Sequence, residues 1–468
     1  MTSSAAHTVL ALLAAIALAD CASTPGPAPL EPSATLAEYS ARRLDSLSPE
    51  LPPPSSGWDR AQWLAAALRL NPRLAEQRAE VDAMAAGERT AAERPNPSMQ
   101  LFAEYLTSAA QSTAWLYGLS MDFLLRQPGE RGRAQRRAAL QTALAKSDLA
   151  ESLWEVRAAL RQALLDAVSA QDESALLQSL VAQRRALLDA DRARLQVGDI
   201  ARAQVLADEL ELSHAQQRQQ QSRVRSADAL ARLATAVGVP VAALEAVPLR
   251  WSGWDEIDAL TVDSASRWRT AALIGRPQVV RALREYDLAE VGLQSEVAKR
   301  WPQIHITPAY AWGGEGVRQN TLYDIATEAG VALSFEIPIF NQHQGPIGEA
   351  VARRTAAGEH LKSVQAEIFG EIDRAELAWP AAQQAWTDTR RAAEIAQRQH
   401  QAEQHALAAG EVERASVSSA EIAATEAQLS VLQSAYTAEM VFGALEDAYR
   451  RPLQGNEGQW LPAAFPQS

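Results

Sequence analysis

The chain has 468 residues, of which 47% are hydrophobic and 22% charged, with 44 basic against 57 acidic side chains and a formal charge of −13. Those proportions exclude wholesale disorder, and the acidic balance gives a polyanion no general foothold, so no nucleic-acid partner is expected. A single cysteine, Cys21, excludes an internal disulfide and a cysteine-built zinc site.

From Thr8 to Ala19 runs an apolar stretch of 12 residues. A bilayer-spanning helix needs about 20, so the run has the length of a signal h-region, and residues 1–20 are expected to be a cleaved signal peptide. Leu18-Ala19-Asp20-Cys21 is similar to a bacterial lipobox, which makes Cys21 the expected site of lipidation and the first mature residue. The pattern departs from that box in lacking Lys or Arg before the apolar run and in placing Asp20 where small residues are usual, so cleavage elsewhere stays open. Ala22, not Asp, follows the cysteine, which by lipoprotein sorting rules favours the outer membrane. Residues 21–57 read as an N-terminal linker or periplasmic extension. No later run of 18 apolar residues occurs, so any membrane span has to be made of strands.

The rest of the chain is duplicated. At an offset of 205, Pro72 falls on Pro277, Pro97 on Pro302 and Tyr105 on Tyr310, with the two prolines 25 apart in both copies. Leu119-Ser120-Met121-Asp122 matches Leu333-Ser334-Phe335-Glu336 at an offset of 214, and Gly198-Asp199-Ile200-Ala201-Arg202-Ala203 matches Gly410-Glu411-Val412-Glu413-Arg414-Ala415 at 212. A period near 200 is too long for a solenoid, so a whole module was doubled. The copies are placed at 58–240 and 263–450, with an equatorial connector at 241–262, rich in Pro, Gly and Trp, and a tail at 451–468.

Each copy reads helix, strand, strand, very long helix, tight turn, helix. Residues 133–195 hold no Pro or Gly over 63 positions and are rich in helix formers, a rod of roughly 95 Å at ~1.5 Å per residue. Leu149, Leu153, Val156, Leu160, Ala163, Ala167 and Ala170 keep a 4-3 spacing, the seam of close-packed helices, which an ordinary coiled-coil dimer would also show. The return helix, about 201–237, and the helix opening the second copy, about 263–299, are each near half that length. Stacked end to end they match one long helix, which suits a cylinder of long helices alternating with pairs of short ones.

Strands are expected at about 98–106, 115–124, 303–312 and 329–338, with hairpin tips between the helices at about 195–200 and 408–412. Met99, Leu101, Ala103 and Tyr105 alternate with Gln100, Phe102 and Glu104; Trp115 to Phe123 alternate with residues including Ser120 and Asp122. Ile304 to Tyr310 alternate with Gln303, His305 and Thr307, and Val331 to Ile337 with Ser334 and Glu336. About 10 residues cross a bilayer at a tilt, with an apolar face for lipid and a polar one for water. Gln100, Glu104, Asp122, His305 and Glu336 are therefore expected to face a lumen. A strand with one apolar face also suits a soluble sandwich. Four strands leave open edges, which lipid forbids, so several subunits have to join.

The duplicated unit, the Gly-acid tips and Ile337-Pro338-Ile339-Phe340-Asn341-Gln342-His343-Gln344-Gly345 resemble the TolC family of outer membrane efflux proteins. Arg94-Pro95-Asn96-Pro97 and the Pro-Ile-Phe-Asn run are most similar to its cobalt-zinc-cadmium (CzcC-like) branch. Leu124 to Gly129 depart from the family pattern, in which Gln-Pro stands closer to the strand and Gly-Gly follows. The resemblance implies a mainly α fold with a small β part. Its homotrimer would form a β-barrel, four strands per subunit, continuous with a long periplasmic α-helical barrel. It also implies docking of Arg194, Leu195, Val197, Gly198, Asp199, Gly410 and Glu411 on a periplasmic membrane-fusion adaptor, itself joined to an inner-membrane pump of the resistance-nodulation-division type.

The sequence offers little for catalysis. No G-x-S-x-G, H-E-x-x-H or phosphate-loop pattern stands in a fitting context, the seven His are scattered, and His400 and His405 are five apart, which spreads them around a helix. No enzyme activity, cofactor or metal site is expected. The expected function is an outer-membrane exit duct for divalent heavy-metal cations. The alternatives are the same duct for drugs or other small organic compounds and, from another class, a periplasmic coiled-coil adaptor or structural lipoprotein.

Overall fold

A computed structural model describes residues 29–47, 51–105, 115–245, 247–251, 257, 265–313, 316–318, 321–323, 327–337, 339–454, 457–459 and 461. The expected signal peptide and Cys21 lie outside them, as does half of the expected connector.

After α1 (Pro32–Ala41), the first copy runs α2 (Arg60–Leu70), α3 (Pro72–Ala92), β1 (Ser98–Tyr105), β2 (Trp115–Leu125), α4 (Glu130–Gln196) and α5 (Arg202–Val237). The second runs α6 (Ala265–Gly275), α7 (Pro277–Ala298), β3 (Ile304–Gly313), a short ribbon of β4 (Gly316–Arg318) and β5 (Thr321–Tyr323), β6 (Thr327–Phe335), α8 (Gln344–Ala409) and α9 (Arg414–Tyr449). Among the described residues the first copy shows no such ribbon, and the interval between the long strands is longer in the second copy. Among the described residues about 75% are helical, with one small antiparallel sheet of four long strands.

The helix expected over 263–299 is two helices. Pro277, like Pro72, stands at the first position of a new helix, where its missing N–H costs nothing. In the first copy Asn71 makes the break, its side chain accepting from the Arg73 and Leu74 amides. One helix earlier, Asp59 and Gln62 form a reciprocal capping box that starts α2.

At 67 residues, α4 is a rod of about 100 Å. It packs between α3 and α5 on one flank and α7 and α9 on the other, and α8 lies beyond α7 and α9. The seam residues Leu153, Val156, Leu160, Ala163, Ala167 and Ala170 are all buried. Halfway along, the layer thickens into two related cores. One gathers Trp58, Trp63, Leu64, Leu160, Leu164, Val237 and Trp251, and the other Ile257, Ala272, Ile372, Trp379, Phe442 and Leu445.

The segment read as an N-terminal linker contributes to the first core. Leu44, Leu47 and Leu51 are buried there, the Tyr39 hydroxyl donates to the Val239 carbonyl, and Arg42 donates to the carbonyls of Leu70 and Gly238. Gly238 closes α5 at φ 92°, and a Cβ there would run into the Leu70 backbone.

Buried ions tie the same level together. Arg157, 1% exposed, pairs with Glu446 at 2.7 Å and Glu457 at 2.6 Å, Arg60 reaches Glu457 at 2.8 Å, and Arg161 reaches Asp447 at 2.6 Å. Burial opposes the Glu446 charge, yet Arg157 and Arg60 hold its carboxyl below the usual range. For Asp447 burial wins and its carboxyl is raised. Gly443 leaves the space across which the Arg161 guanidinium lies. Part of the expected tail is thereby pinned, since Glu457 belongs to the cluster and Leu461 to the first core.

Candidate functional site

Two regions carry the functional geometry, the sheet at one end of the rods and the helical hairpin tips at the other.

The sheet order is β1-β2-β3-β6, every pair antiparallel. Its register is in phase throughout: Gln100 opposes Ser120, Ser120 opposes Ala309, and Ala309 opposes Gly330. Because side chains alternate along a strand, one face collects Gln100, Glu104, Ser120, Asp122, His305, Thr307, Glu328 and Ser334. The opposite face collects Met99, Leu101, Leu119, Met121, Phe123, Ile304, Ile306, Val331, Leu333 and Phe335. Glu336 lies one residue past the end of β6, so it continues the polar row in phase but belongs to the exit from the strand.

On the polar face both Asp122 carboxylate oxygens are held from β3, Oδ2 by His305 Nδ1 and Oδ1 by the Thr307 hydroxyl, each at 2.9 Å. This bridge joins the strand pair of the first copy to that of the second. Phe102 also lies on this face, its ring covering Gly118, where any side chain would collide with it.

Among the described residues nothing covers the apolar face. Val331 is 71% exposed, Leu333 60% and Met99 62%. At the end farthest from the helices its residues are aromatic: Tyr105 meets Trp115 edge-on at 5.1 Å, Trp115 stacks on Tyr117 at 6.3 Å, and Tyr117 stacks on Trp312 at 6.2 Å. An apolar band edged by such a girdle is what a bilayer interface selects. Among the described residues, no helix is long and apolar enough to cross a membrane.

At the other end, α4 stops at Val197 and the chain turns through Gly198 at φ 78°. The Asp199 amide reaches back to the Arg194 carbonyl, and the Gly198 amide to that of Leu195. The second tip repeats this, with Gly410 at φ 76°, Glu411 donating to the Ala406 carbonyl and Gly410 to that of Leu407. A left-handed glycine with a back-bonded successor is the usual helix stop, and here it was written in the sequence as Gly-acid.

At the first tip the acid does a different task from capping. Asp199 takes Arg194 Nε at 2.6 Å, while Ala201, with no side-chain cap bond, precedes α5. Arg194 also contacts Asp191 at 3.5 Å and Glu413 at the start of α9 at 3.1 Å, so it fastens one tip to the other. Val197 projects into solvent, 80% exposed, and Leu195 is half-buried. Sequence reasoning missed what lies just behind. Asp191 and Asp208 are both buried, on α4 and α5, and burial followed by the neighbouring Asp191 raises the Asp208 carboxyl. Among the described residues no three His, Cys, Asp or Glu side chains converge as a metal cage would need, and His400 is occupied by Gln404.

No curated protein matches the chain. Solved structures share its fold at low identity. The outer membrane protein VceC from Vibrio cholerae is 15% identical, with 84% of this chain and 97% of that one covered and a TM-score of 0.66. The open state of the MtrE outer membrane channel of Neisseria gonorrhoeae is 14% identical, with 85% and 90% covered and a TM-score of 0.67. For CusC, described with transmembrane channel formation, the values are 15%, 83%, 91% and 0.66. At such identities the likeness establishes a shared fold, that of outer membrane channels with long helical rods. Residues 268–445, nearly all of the second copy, match the outer membrane efflux protein family.

Proposed function

We propose that the chain is a non-enzymatic outer-membrane exit duct of a tripartite efflux system, working as a homotrimer with a periplasmic membrane-fusion adaptor and an inner-membrane pump of the resistance-nodulation-division type. The observation that carries this reading is the sheet, with a bare apolar face girdled by aromatics on one side and a row of carboxylates on the other. A soluble sandwich would cover the apolar face, and a periplasmic adaptor or structural lipoprotein would have no use for one.

The edges explain the trimer. β1 and β6 are the outer strands, β1 follows α3 on one flank of the helical layer, and β6 leads into α8 on the other. Placing β6 of one subunit beside β1 of the next continues the antiparallel alternation and sets α8 against α3 and α5 of the neighbour. Three subunits give twelve strands and remove every edge from lipid. The helices continue the same ring into the periplasm as alternating long rods and stacked short pairs, and the tips point at the adaptor. Cys21 would carry a lipid anchor that assists targeting, with the barrel supplying most of the retention.

Divalent heavy-metal cations are the proposed cargo, on the likeness of Arg94 to Pro97 and of the stretch ending in Gly345 to the cobalt-zinc-cadmium branch. The test is tolerance to zinc, cobalt or cadmium in cells that lack the chain and regain it. Leu195→Glu, at the tip, should leave the folded oligomer at normal abundance and abolish that tolerance. Full tolerance with this variant would remove the docking assignment. Restored tolerance to dyes or detergents but not to metals would leave the duct and replace the cargo.

A further inference from the structure

We propose that the run before β1 and the run after β6 form a lock between copies, in which Phe340 of one subunit seats against Pro95 and Pro97 of the next. The inference rests on the duct reading above, since it needs the sheet edges of neighbouring copies to meet, and it adds the side chains that join strands to helices at each seam.

The two runs leave the sheet at the same end and from opposite edges. Residues 93–97 lie between α3 and β1, and residues 336–343 between β6 and α8. Phe335 shares a row with Ile304 and Leu125, three residues beyond the row of Asp122 and Ser98, so its row reaches Pro95. Within one copy β2 and β3 stand between the runs, a separation of about 14 Å for three strand spacings. Closing β6 onto β1 of the next copy brings them side by side.

Each run is shaped for a partner that its own chain does not supply. Pro97 precedes β1 and Pro338 follows β6. Proline cannot donate to a ladder, so strand pairing stops on both edges and side-chain packing has to take over. In Arg94-Pro95-Asn96-Pro97 both residues that precede proline are biased to extended backbone, which stiffens the run, and two of the four have no N–H that an apolar contact would strand. On the other edge Ile337, Ile339 and Phe340 are 61%, 67% and 96% exposed. Their turn is braced: the Ile339 amide donates to the Ile337 carbonyl at 2.8 Å, the His343 amide to the Asn341 side chain at 2.9 Å and the Gln342 amide to the Gln344 side chain at 2.8 Å. A braced turn that holds its largest apolar side chain clear of its own chain offers it to another surface. Charge agrees, since Arg94 and Glu336 are both exposed, form no ion pair among the described residues and stand on opposite edges with opposite sign. Lipid would cover Phe340 poorly, because Asn341, Gln342, His343 and Gln344 follow it directly and would be drawn toward hydrocarbon with it.

The test is disulfide trapping in intact outer membranes, with full-length chains carrying Pro95→Cys under one tag and Phe340→Cys under another, expressed together. An oxidant should link a copy of the first kind to a copy of the second, and neither variant expressed alone should give that product, which controls for Cys21. A disulfide needs Cα atoms within about 7 Å, so the separation within one copy forbids an internal link. Phe340→Ala covers the case of cysteine variants that do not assemble. It should lower the temperature at which the three-copy species dissociates in dodecyl sulfate, whereas Val331→Ala, on the proposed lipid face, should leave it unchanged. No mixed disulfide from copies that a carboxyl-reactive cross-linker still joins in threes, or no difference between Phe340→Ala and the unsubstituted chain, would overturn the lock while leaving the duct. A fluorophore on Phe340→Cys that spin-labelled phospholipid quenches would assign the position to lipid and overturn the lock as well. Copies that no cross-linker joins would overturn the duct and the lock with it.

Discussion

At the level where the rods thicken, Trp63, Leu64 and Leu165 are shut away from solvent by the chain's own helices, whereas on the sheet Met99, Val331 and Leu333 stand more than half exposed. The same hydrophobic chemistry is thus satisfied internally in one region and left open in the other. Polar groups show the converse. The equator buries Arg157, Glu446 and Glu457 as a paired cluster, while the sheet holds its carboxylates on a wet face. The equator behaves as the core of a globular domain, and the sheet, on the proposed function, as a surface finished by lipid and by neighbouring subunits.

That contrast breaks most sharply at Arg157. Replacing it with Ala leaves Glu446 and Glu457 buried without their main counter-charge, and losing one partner of a buried pair costs about 3–5 kcal/mol. Thermal unfolding of the detergent-solubilised protein should show the loss, and an unchanged midpoint would mean the cluster is not a determinant of stability. On the sheet, Leu333→Arg should cost about 2–4 kcal/mol if it lies near the bilayer midplane. Ser334→Arg, one residue on and facing the other way, should assemble nearly normally. Equal effects at the two sites would refute the assignment of faces.

A smaller effect is expected at the tips. The Asp208 carboxyl is raised first by burial and then by Asp191, so the folded chain keeps a proton that the unfolded chain has already lost. Stability therefore falls as pH climbs from the unfolded value, about 3.9, through the folded one, and the deficit persists at neutral pH. Asp208→Asn removes the deficit. It should raise the unfolding midpoint near neutral pH and give no gain in strong acid, and a gain of the same size at both would assign the effect to something other than titration. In the second copy, at the tip offset of 212, the corresponding positions are Glu403 and Ala420, so that hairpin has no such pair.

What the sequence disclosed follows from which interactions are periodic. Alternation along 98–105, 115–125 and 304–313 placed Gln100, Glu104, Asp122 and His305 on one face, and the Gly-acid repeats located both turns, because these signals sit on adjacent residues. The broken helix at Arg276 was less legible, although Pro277 had already been aligned with Pro72; its significance lies in starting a helix, which an alanine-rich helical pattern conceals. The cluster of Arg60, Arg157, Glu446 and Glu457 joins residues up to 397 positions apart, and no local pattern announces it. The Asp191 and Asp208 pair was invisible for the same reason, its two members being brought together only by the turn between α4 and α5.

Closure of the sheet by neighbouring copies is the central claim, and cross-linking in intact outer membranes tests it most directly. With increasing lysine- or carboxyl-reactive cross-linker, the account predicts bands of one, two and three copies that converge on three and go no further. A limiting product of one or two copies would contradict it, since four or eight strands would then have to meet lipid with the edges β1 and β6 or be closed in some other way.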